Sequence, residues 1–174
     1  METHMRAKLT SLALMLVTAA TVAQLPAQQK GKQAPQPDKT YTSAKEVVAM
    51  MAKAKSERKQ DQANFIQTLL RLAPYSANLE YRGVVGPAAT HKTEAEMFFV
   101  IDGGGTLVTG GKLVGETQTN PENLSGTAID GGMTQAVAKG DFFIVPENTP
   151  HWFSKIDGTL VLMSLHVPRP VPAR

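Results

Sequence analysis

The sequence contains no cysteine, which excludes disulfide bonds, thiolate metal ligands and a cysteine nucleophile. Any bound metal ion must therefore be held by nitrogen and oxygen ligands. Neither sign of charge is in large excess, because the formal net charge of the 174 residues is only +3. No stripe of basic residues with interleaved aromatic residues occurs, so the sequence gives no support for nucleic-acid binding. The length and an ordinary hydrophobic content indicate one globular domain.

An apolar stretch at residues 9–20 is too short for a membrane-spanning helix. It follows two basic residues and precedes small residues, an order that is typical of a cleaved secretory signal. We therefore predict a signal peptide over residues 1–23, with cleavage after Ala23 or Ala27. The mature protein is expected to be periplasmic or secreted, without stable membrane insertion. An uncleaved membrane anchor is the alternative interpretation.

Residues 24–42 include a stretch rich in Gln, Pro and Lys with few apolar side chains, which predicts a flexible linker. The spacing of Ser43 and Glu46 is that of a capping box. Apolar residues then follow at helical spacing, so we predict a helix over residues 44–56 at the start of a domain spanning residues 43–174. The apolar face of this helix is expected to pack against the domain or a partner subunit.

From Phe65 onward, short apolar runs alternate with turn residues. The pattern predicts strands at 65–72, 77–82, 97–101, 106–109, 142–145 and 160–167, with turns at Pro74, 103–105 and 110–111. Many short strands separated by turns indicate an all-β antiparallel barrel or jelly roll. Within the long segment 104–139, the polar residues 116–130 are expected to form a hairpin or a lid over the mouth of the barrel.

Two of these strand regions carry candidate metal ligands. The segment that begins at Gly83 contains His91 and Glu96, and the segment that begins at Gly140 ends at His151. Imidazole nitrogens and a carboxylate oxygen are suitable ligands for a divalent transition metal, and strands can direct them to one point.

The two segments resemble the two sequence motifs of the cupin superfamily over roughly residues 65–168. In the first motif, Gly83, His91, Glu96 and Gly103 match, whereas Ala89 stands where the family has its first histidine. In the second motif, Gly140, Pro146 and His151 match, whereas Asn148 replaces a glycine and Lys155 replaces an asparagine. The resemblance implies an antiparallel cupin β-barrel, or jelly roll, with an N-terminal helix.

Cupins typically hold a metal with three histidines and one glutamate, so the resemblance implies His91, Glu96 and His151 as metal ligands. Two imidazoles and one carboxylate form the ligand set of facial non-haem iron sites, which keep open positions for substrate or oxygen. The expected cofactor is a divalent transition metal such as iron, manganese, zinc or nickel. The alanine at position 89 leaves two interpretations, a more open catalytic site or a decayed one.

Glu96 precedes a very apolar strand, where an unpaired carboxylate would be costly. A metal or an ion pair with Arg82 would remove that cost, and without a metal Glu96 is expected to be protonated readily and to act as a general base. Arg82 and Tyr81 are candidates for orienting an anionic substrate, although an ordinary exposed arginine is an equal alternative. The apolar wall of the substrate pocket is assigned to Phe98, Phe143 and Phe153.

Two further residues receive weaker assignments. Glu94 is expected to be a solvated charge, unless the motif is shifted by two residues, which would make Glu94 the ligand. His166 lies on the last predicted strand and is expected to be a surface or core histidine, although strand alternation allows it to face the cavity.

By analogy with similar cupins, the resemblance implies a small-molecule metalloenzyme, a metal-dependent oxidoreductase of the dioxygenase type. One alternative is a non-catalytic cupin that binds a small ligand, and another is a metal-independent isomerase or lyase with Glu96 as base. Cupins commonly associate through their N-terminal strands, so we also expect a homodimer formed through residues 65–72 and the preceding helix.

Overall fold

The structure is a computed structural model of the chain that describes residues 36–169. The predicted signal peptide and the first part of the predicted linker lie outside these residues. Among the residues that are described, no helix is both long enough and apolar enough to cross a membrane.

The described chain begins with a short extended segment and one α-helix, α1 (Ala44–Glu57). The main-chain N–H of Glu46 donates to the Ser43 hydroxyl at 3.2 Å, and the main-chain N–H of Ser43 donates to the Glu46 carboxylate at 2.7 Å. Both bonds satisfy main-chain groups that the first helical turn leaves unpaired. The capping box therefore forms as the sequence predicts, and the helix begins at the expected residue.

Eleven strands follow within residues 36–169, and all their pairings are antiparallel. They are β1 (Asn64–Leu72), β2 (Tyr75–Arg82), β3 (Ala88–His91), β4 (Glu94–Thr109), β5 (Lys112–Val114), β6 (Thr117–Asn120), β7 (Asn123–Gly126), β8 (Ala128–Asp130), β9 (Met133–Ala138), β10 (Phe142–Val145) and β11 (His151–Pro168). The predicted all-β jelly roll with an N-terminal helix is confirmed.

The long strand β11 organises the sheet. It pairs with β2, β3 and β4. One path of hydrogen-bonded neighbours through the sheet is β1-β2-β11-β3-β7-β6, and β4 connects β9 and β10 to the same sheet. Strands β5 and β8 form a separate pair. Because β11 contacts three neighbours, side chains from distant parts of the sequence meet along its inner face.

Strand alternation divides the apolar side chains into two clusters. The inner cluster consists of Phe98, Val100, Leu107, Val137, Val145, Phe153, Leu160 and Leu162. The outer cluster lies between the sheet and α1 and consists of Ala54, Leu69, Ala77, Leu79, Tyr81 and Val161, with Val47, Met50 and Met51 of the helix packed against it. The apolar face of the helix therefore packs on the domain itself.

The glycines at 103–105 do not form the predicted turn, because β4 runs through them without interruption. A Cβ on Gly103 or Gly105 would collide with the main-chain carbonyl of Thr159 or Lys155, and the pairing of β4 with β11 is irregular in this region. Glycine is required here because β11 approaches β4 closely. From the sequence alone, a run of glycines for this purpose cannot be distinguished from a turn. The predicted turn at 110–111 does separate β4 from β5.

The end of the predicted linker is part of the folded domain. Lys39 and Arg71 exchange two main-chain hydrogen bonds of 2.8 Å, so residues near Lys39 pair with the edge of β1. The predicted homodimer through β1 and α1 remains a prediction.

The segment 116–130 contains a hairpin, as the sequence predicts. Strands β6 and β7 form the hairpin, and β7 also pairs with β3, which carries His91. The hairpin is therefore attached directly to the strand that presents a candidate ligand. The lid function remains a prediction.

Candidate metal centre

Three of the four histidines of the chain lie around the carboxylate of Glu96. His91 ends β3, Glu96 lies on β4, and His151 and His166 lie near opposite ends of β11. His166 is in register with Glu96. Strand β11 pairs with β3 at His151 and with β4 at His166, and its pairing with β4 shifts register at three places. These irregularities allow the long strand to bend, so all four side chains lie in one place.

The distances among His91, Glu96 and His166 fit a single metal ion, whereas His151 lies close to Glu96 but is not part of that group. The Nε2 atoms of His91 and His151 each lie 3.3 Å from Glu96 Oε2, and Nε2 of His166 lies 3.3 Å from Glu96 Oε1. Ligand atoms of His91, Glu96 and His166 all lie within 4.8 Å of one another. Metal–ligand bonds of about 2.0–2.2 Å place neighbouring ligand atoms about 3–3.5 Å apart.

The hydrogen bonding of Glu96 gives an independent test of the fit. The residue is only 4% exposed. Its Oε2 atom has no hydrogen-bond partner among the described residues, although two imidazole nitrogens lie 3.3 Å away. A buried carboxylate oxygen without a partner is costly, and a cation shared with the imidazole nitrogens would satisfy it. The residues present therefore fit a divalent transition metal.

The other ring nitrogens are directed to partners outside the cluster. Nδ1 of His91 lies 2.6 Å from Asn123 Oδ1, and Nδ1 of His166 lies 3.1 Å from Glu94 Oε2. The His91 contact is a hydrogen bond, which fixes the ring orientation and leaves Nε2 for a metal, whereas the His166 Nδ1 atom makes no hydrogen bond with the described residues and is only at ion-pair distance from Glu94. The expectation that Glu94 is only a solvated charge is therefore wrong, because it contacts His166.

Burial raises the pKa of the Glu96 carboxyl, but the contacts with His151 and His91, together with the charge of His166, lower it by more. The net result is a pKa well below the usual range. The expectation that Glu96 is readily protonated without a metal is therefore wrong. The neighbouring imidazoles, which the sequence does not show to be adjacent, overcome the effect of burial.

The pKa of His91 is shifted in the opposite direction. Burial lowers it, but the contacts with Glu96 and Asn123 and the charge of Glu94 raise it by more, so the net shift is upward. In the metal-free protein, His91 therefore retains a proton to higher pH than an ordinary histidine does.

These two shifts predict that the metal-free protein is most stable between about pH 4.5 and about pH 6.5, the ordinary values of the two groups. The contribution of Glu96 is present above 4.5 and is lost as the pH falls through its lowered pKa. The contribution of His91 is present below 6.5 and is lost as the pH rises through its raised pKa. Thermal unfolding in the presence of a chelator, from acidic to mildly alkaline pH, measures the pH dependence of stability. If Glu96→Gln and the wild type had the same pH dependence, the prediction would be wrong.

Arg82 does not pair with Glu96. Its Nη2 and Nε atoms donate to Glu80 Oε2 at 2.5 and 3.0 Å, and its guanidinium lies 4.8 Å from the centre of the Phe153 ring. Glu80 also accepts from Asn64 at 2.8 Å and from Ser164 at 2.7 Å. The structure therefore places Arg82 in a buried polar network rather than beside the metal ligands.

Tyr81 is not brought to the cluster. Adjacent residues of a strand point to opposite faces, and the Tyr81 ring packs in the outer cluster beneath α1 while Arg82 points inward. Its assignment beside Arg82 in the substrate pocket is corrected for this reason.

The three phenylalanines assigned to the pocket wall do come together. Ring centres of Phe98 lie 5.1 Å from Phe143 and 5.7 Å from Phe153, and Phe98 lies 6.1 Å from His151. They form an apolar aromatic floor next to the candidate ligands.

Asn148 explains how the second motif tolerates the loss of its glycine. Its φ is 55°, in the left-handed region that asparagine adopts more readily than most residues. Its main-chain N–H donates to the carbonyl of His91 at 2.6 Å, so this turn also holds His91 in place.

His166 is the residue that sequence reasoning placed outside the ligand set. Its inward position follows from alternation along β11, where Leu160, Leu162 and Ser164 are fully buried. This alternation is visible in the sequence and indicates that His166 faces inward. Its proximity to Glu96 depends on the pairing of β11 with β4, which no local pattern specifies.

The sequence matches the cupin family over residues 53–167. The chain belongs to the cupin family. No curated protein matches it.

Several solved structures are similar to this cupin in fold. A cupin superfamily protein from Desulfitobacterium hafniense DCB-2 is 9% identical, with a TM-score of 0.49 and coverage of 76% of this chain and 99% of that one. A putative mannose-6-phosphate isomerase from Ralstonia eutropha JMP134 is 14% identical, with a TM-score of 0.43 and coverage of 60% and 84%. The FeII form of HppE is 16% identical, with a TM-score of 0.47; the match covers 64% of this cupin and 54% of HppE.

Proposed function

We propose that this cupin is a metal-dependent enzyme that acts on a small molecule, an oxidoreductase of the dioxygenase type. The observation that carries the proposal is the buried Glu96 carboxylate, which has three imidazoles around it and an oxygen without a hydrogen bond to any described residue. Nitrogen and oxygen ligands in this ratio suit iron, manganese, nickel or zinc.

We assign the metal to His91, Glu96, His151 and His166. His91 and His151 share Oε2 of Glu96, and His166 lies beside Oε1. In this assignment His166 supplies the third imidazole, which Ala89 cannot supply.

The metal, when bound, would supply Lewis-acid or redox chemistry to a substrate beside it. The chain's own residues would prepare the surroundings. Phe98, Phe143 and Phe153 exclude water from one side of the ligands. Glu80 compensates the charge of Arg82. Nη1 of the guanidinium has no hydrogen bond to the described residues, so its two N–H groups would be available to a substrate oxygen.

The ligand assignment predicts that His151→Ala and His166→Ala each lower the affinity for Zn²⁺ at least about tenfold, a loss comparable to that caused by removing an outer partner of a ligand. Elemental analysis of protein purified without added metal, followed by competition with a chromogenic chelator, measures this. Gln118→Ala, an exposed change on β6, is the control. If His166→Ala left the affinity unchanged, His166 would not be a ligand and the ligand set would be His91, Glu96 and His151.

Oxygen consumption with phenolic and keto-acid compounds tests the reaction class. Metal-dependent consumption that is lost in chelator would support the dioxygenase assignment. Stoichiometric ligand binding by metal-free protein without turnover would instead favour a non-catalytic binding cupin, the candidate to which Ala89 points.

The remaining alternative is a metal-independent isomerase or lyase with Glu96 as base. The strongly lowered pKa of Glu96 makes it a weak base, which argues against this function. Activity that survives chelation and is lost in Glu96→Gln would support it.

A further inference from the structure

We propose that the β6–β7 hairpin is a positioning element of the metal centre and acts through Asn123 on His91. The inference rests on the proposed metal site and assigns a function to a segment outside both cupin motifs. Strand β7 pairs with β3, and Asn123 is directly in register with His91.

The contact between Asn123 and His91 determines the tautomer of the imidazole. The amide oxygen of Asn123 can only accept a hydrogen bond, so Nδ1 of His91 must carry the proton that is shared over 2.6 Å. In the neutral ring the proton is then absent from Nε2, the atom directed at Glu96. A metal requires this tautomer, because it binds the nitrogen that has a free lone pair.

The hairpin also fixes the orientation of the Asn123 amide. Its Nδ2 group donates to Asn120 Oδ1 at 3.0 Å, which turns Oδ1 toward His91. Asn120 Oδ1 also accepts from the main-chain N–H of Glu122 at 3.0 Å. The main-chain carbonyl of Glu122 in turn accepts from the main-chain N–H of Lys92 at 2.8 Å. The turn of the hairpin, its amide side chain and the end of β3 therefore form one connected unit.

Two consequences distinguish positioning from general support of the fold. Asn123→Ala removes the only acceptor that the described residues offer to His91 Nδ1, so Zn²⁺ affinity should fall about 10–100-fold. Asn123→Asp retains the acceptor and should restore most of that affinity. Metal binding and hairpin order should also be coupled, so Zn²⁺ should slow amide hydrogen exchange in β6 and β7 of the wild type and much less in Asn123→Ala.

The experiment measures Zn²⁺ affinity by chelator competition and the His91 tautomer by ¹⁵N NMR of histidine-labelled protein. Thr119→Ala is the control, because it removes a 3.1 Å bond to the Asn123 carbonyl in the same hairpin and leaves the amide in place. We expect near wild-type affinity in Thr119→Ala and Asn123→Asp, and weak binding with a mixture of tautomers in Asn123→Ala.

Equal affinity in Asn123→Ala and the wild type would overturn the inference and leave the metal site intact. Equal losses in Asn123→Ala, Asn123→Asp and Thr119→Ala would also overturn it, since they would indicate loosening of the hairpin alone. A wild-type protein that binds no divalent metal would instead count against the proposed function itself.

Discussion

Glu96→Gln is expected to lower the affinity for Zn²⁺ by more than about 100-fold, because loss of an outer partner of a ligand alone costs about 10–100-fold. The substitution preserves the volume of the side chain and removes the negative charge that faces three imidazoles. The amide would also direct an N–H toward a position that requires a lone pair. Chelator competition on purified protein gives the affinity, and elemental analysis gives the occupancy.

Glu94→Gln is the matched control for this substitution. It makes the same chemical change two residues away, on the carboxylate that lies 3.1 Å from His166 Nδ1. Glutamine keeps an oxygen that can accept from this nitrogen, so the loss of affinity should not exceed about tenfold. If Glu94→Gln abolished metal binding while Glu96→Gln retained it, the shifted alignment that makes Glu94 the ligand would be correct.

Arg82→Ala is expected to lower the free energy of unfolding by about 3–5 kcal/mol, the typical effect of removing one partner of a buried ion pair. Glu80 is 5% exposed and would keep only its hydrogen bonds from Asn64 and Ser164. The lost contact with the Phe153 ring adds to the effect. Denaturant unfolding of metal-free protein measures the change.

Two comparisons identify the origin of this loss. Arg169→Ala breaks an ion pair with Glu147 in which the arginine is exposed, and should cost about 1 kcal/mol or less. Combining Arg82→Ala with Glu80→Gln should recover part of the stability, because no charge is then left buried and unpaired. A stable Arg82→Ala protein that has lost only substrate affinity would show that Arg82 acts on substrate rather than on the fold.

The site could be predicted in part because its metal-binding residues lie inside short motifs. His91 and Glu96 are close in sequence, and His151 ends an apolar run that begins at a glycine, so local spacing was sufficient to single them out. The phenylalanine wall was predictable for a similar reason, since its members lie on strands with clear apolar patterns. The predicted pairing of Tyr81 with Arg82 at an anionic substrate rests on the chemistry of the guanidinium, but adjacent residues of a strand point to opposite faces.

By itself, the sequence determined the features that depend on neighbouring residues: the capped helix α1, the strand character of the domain, and the nitrogen and oxygen chemistry of the site. Only the tertiary structure decided that His166 joins Glu96 and that glycines 103–105 lie within a strand. The physical reason is that helix caps and alternation act over a few residues along the chain. Register between β11 and its neighbours is instead fixed by the packing of the whole inner face.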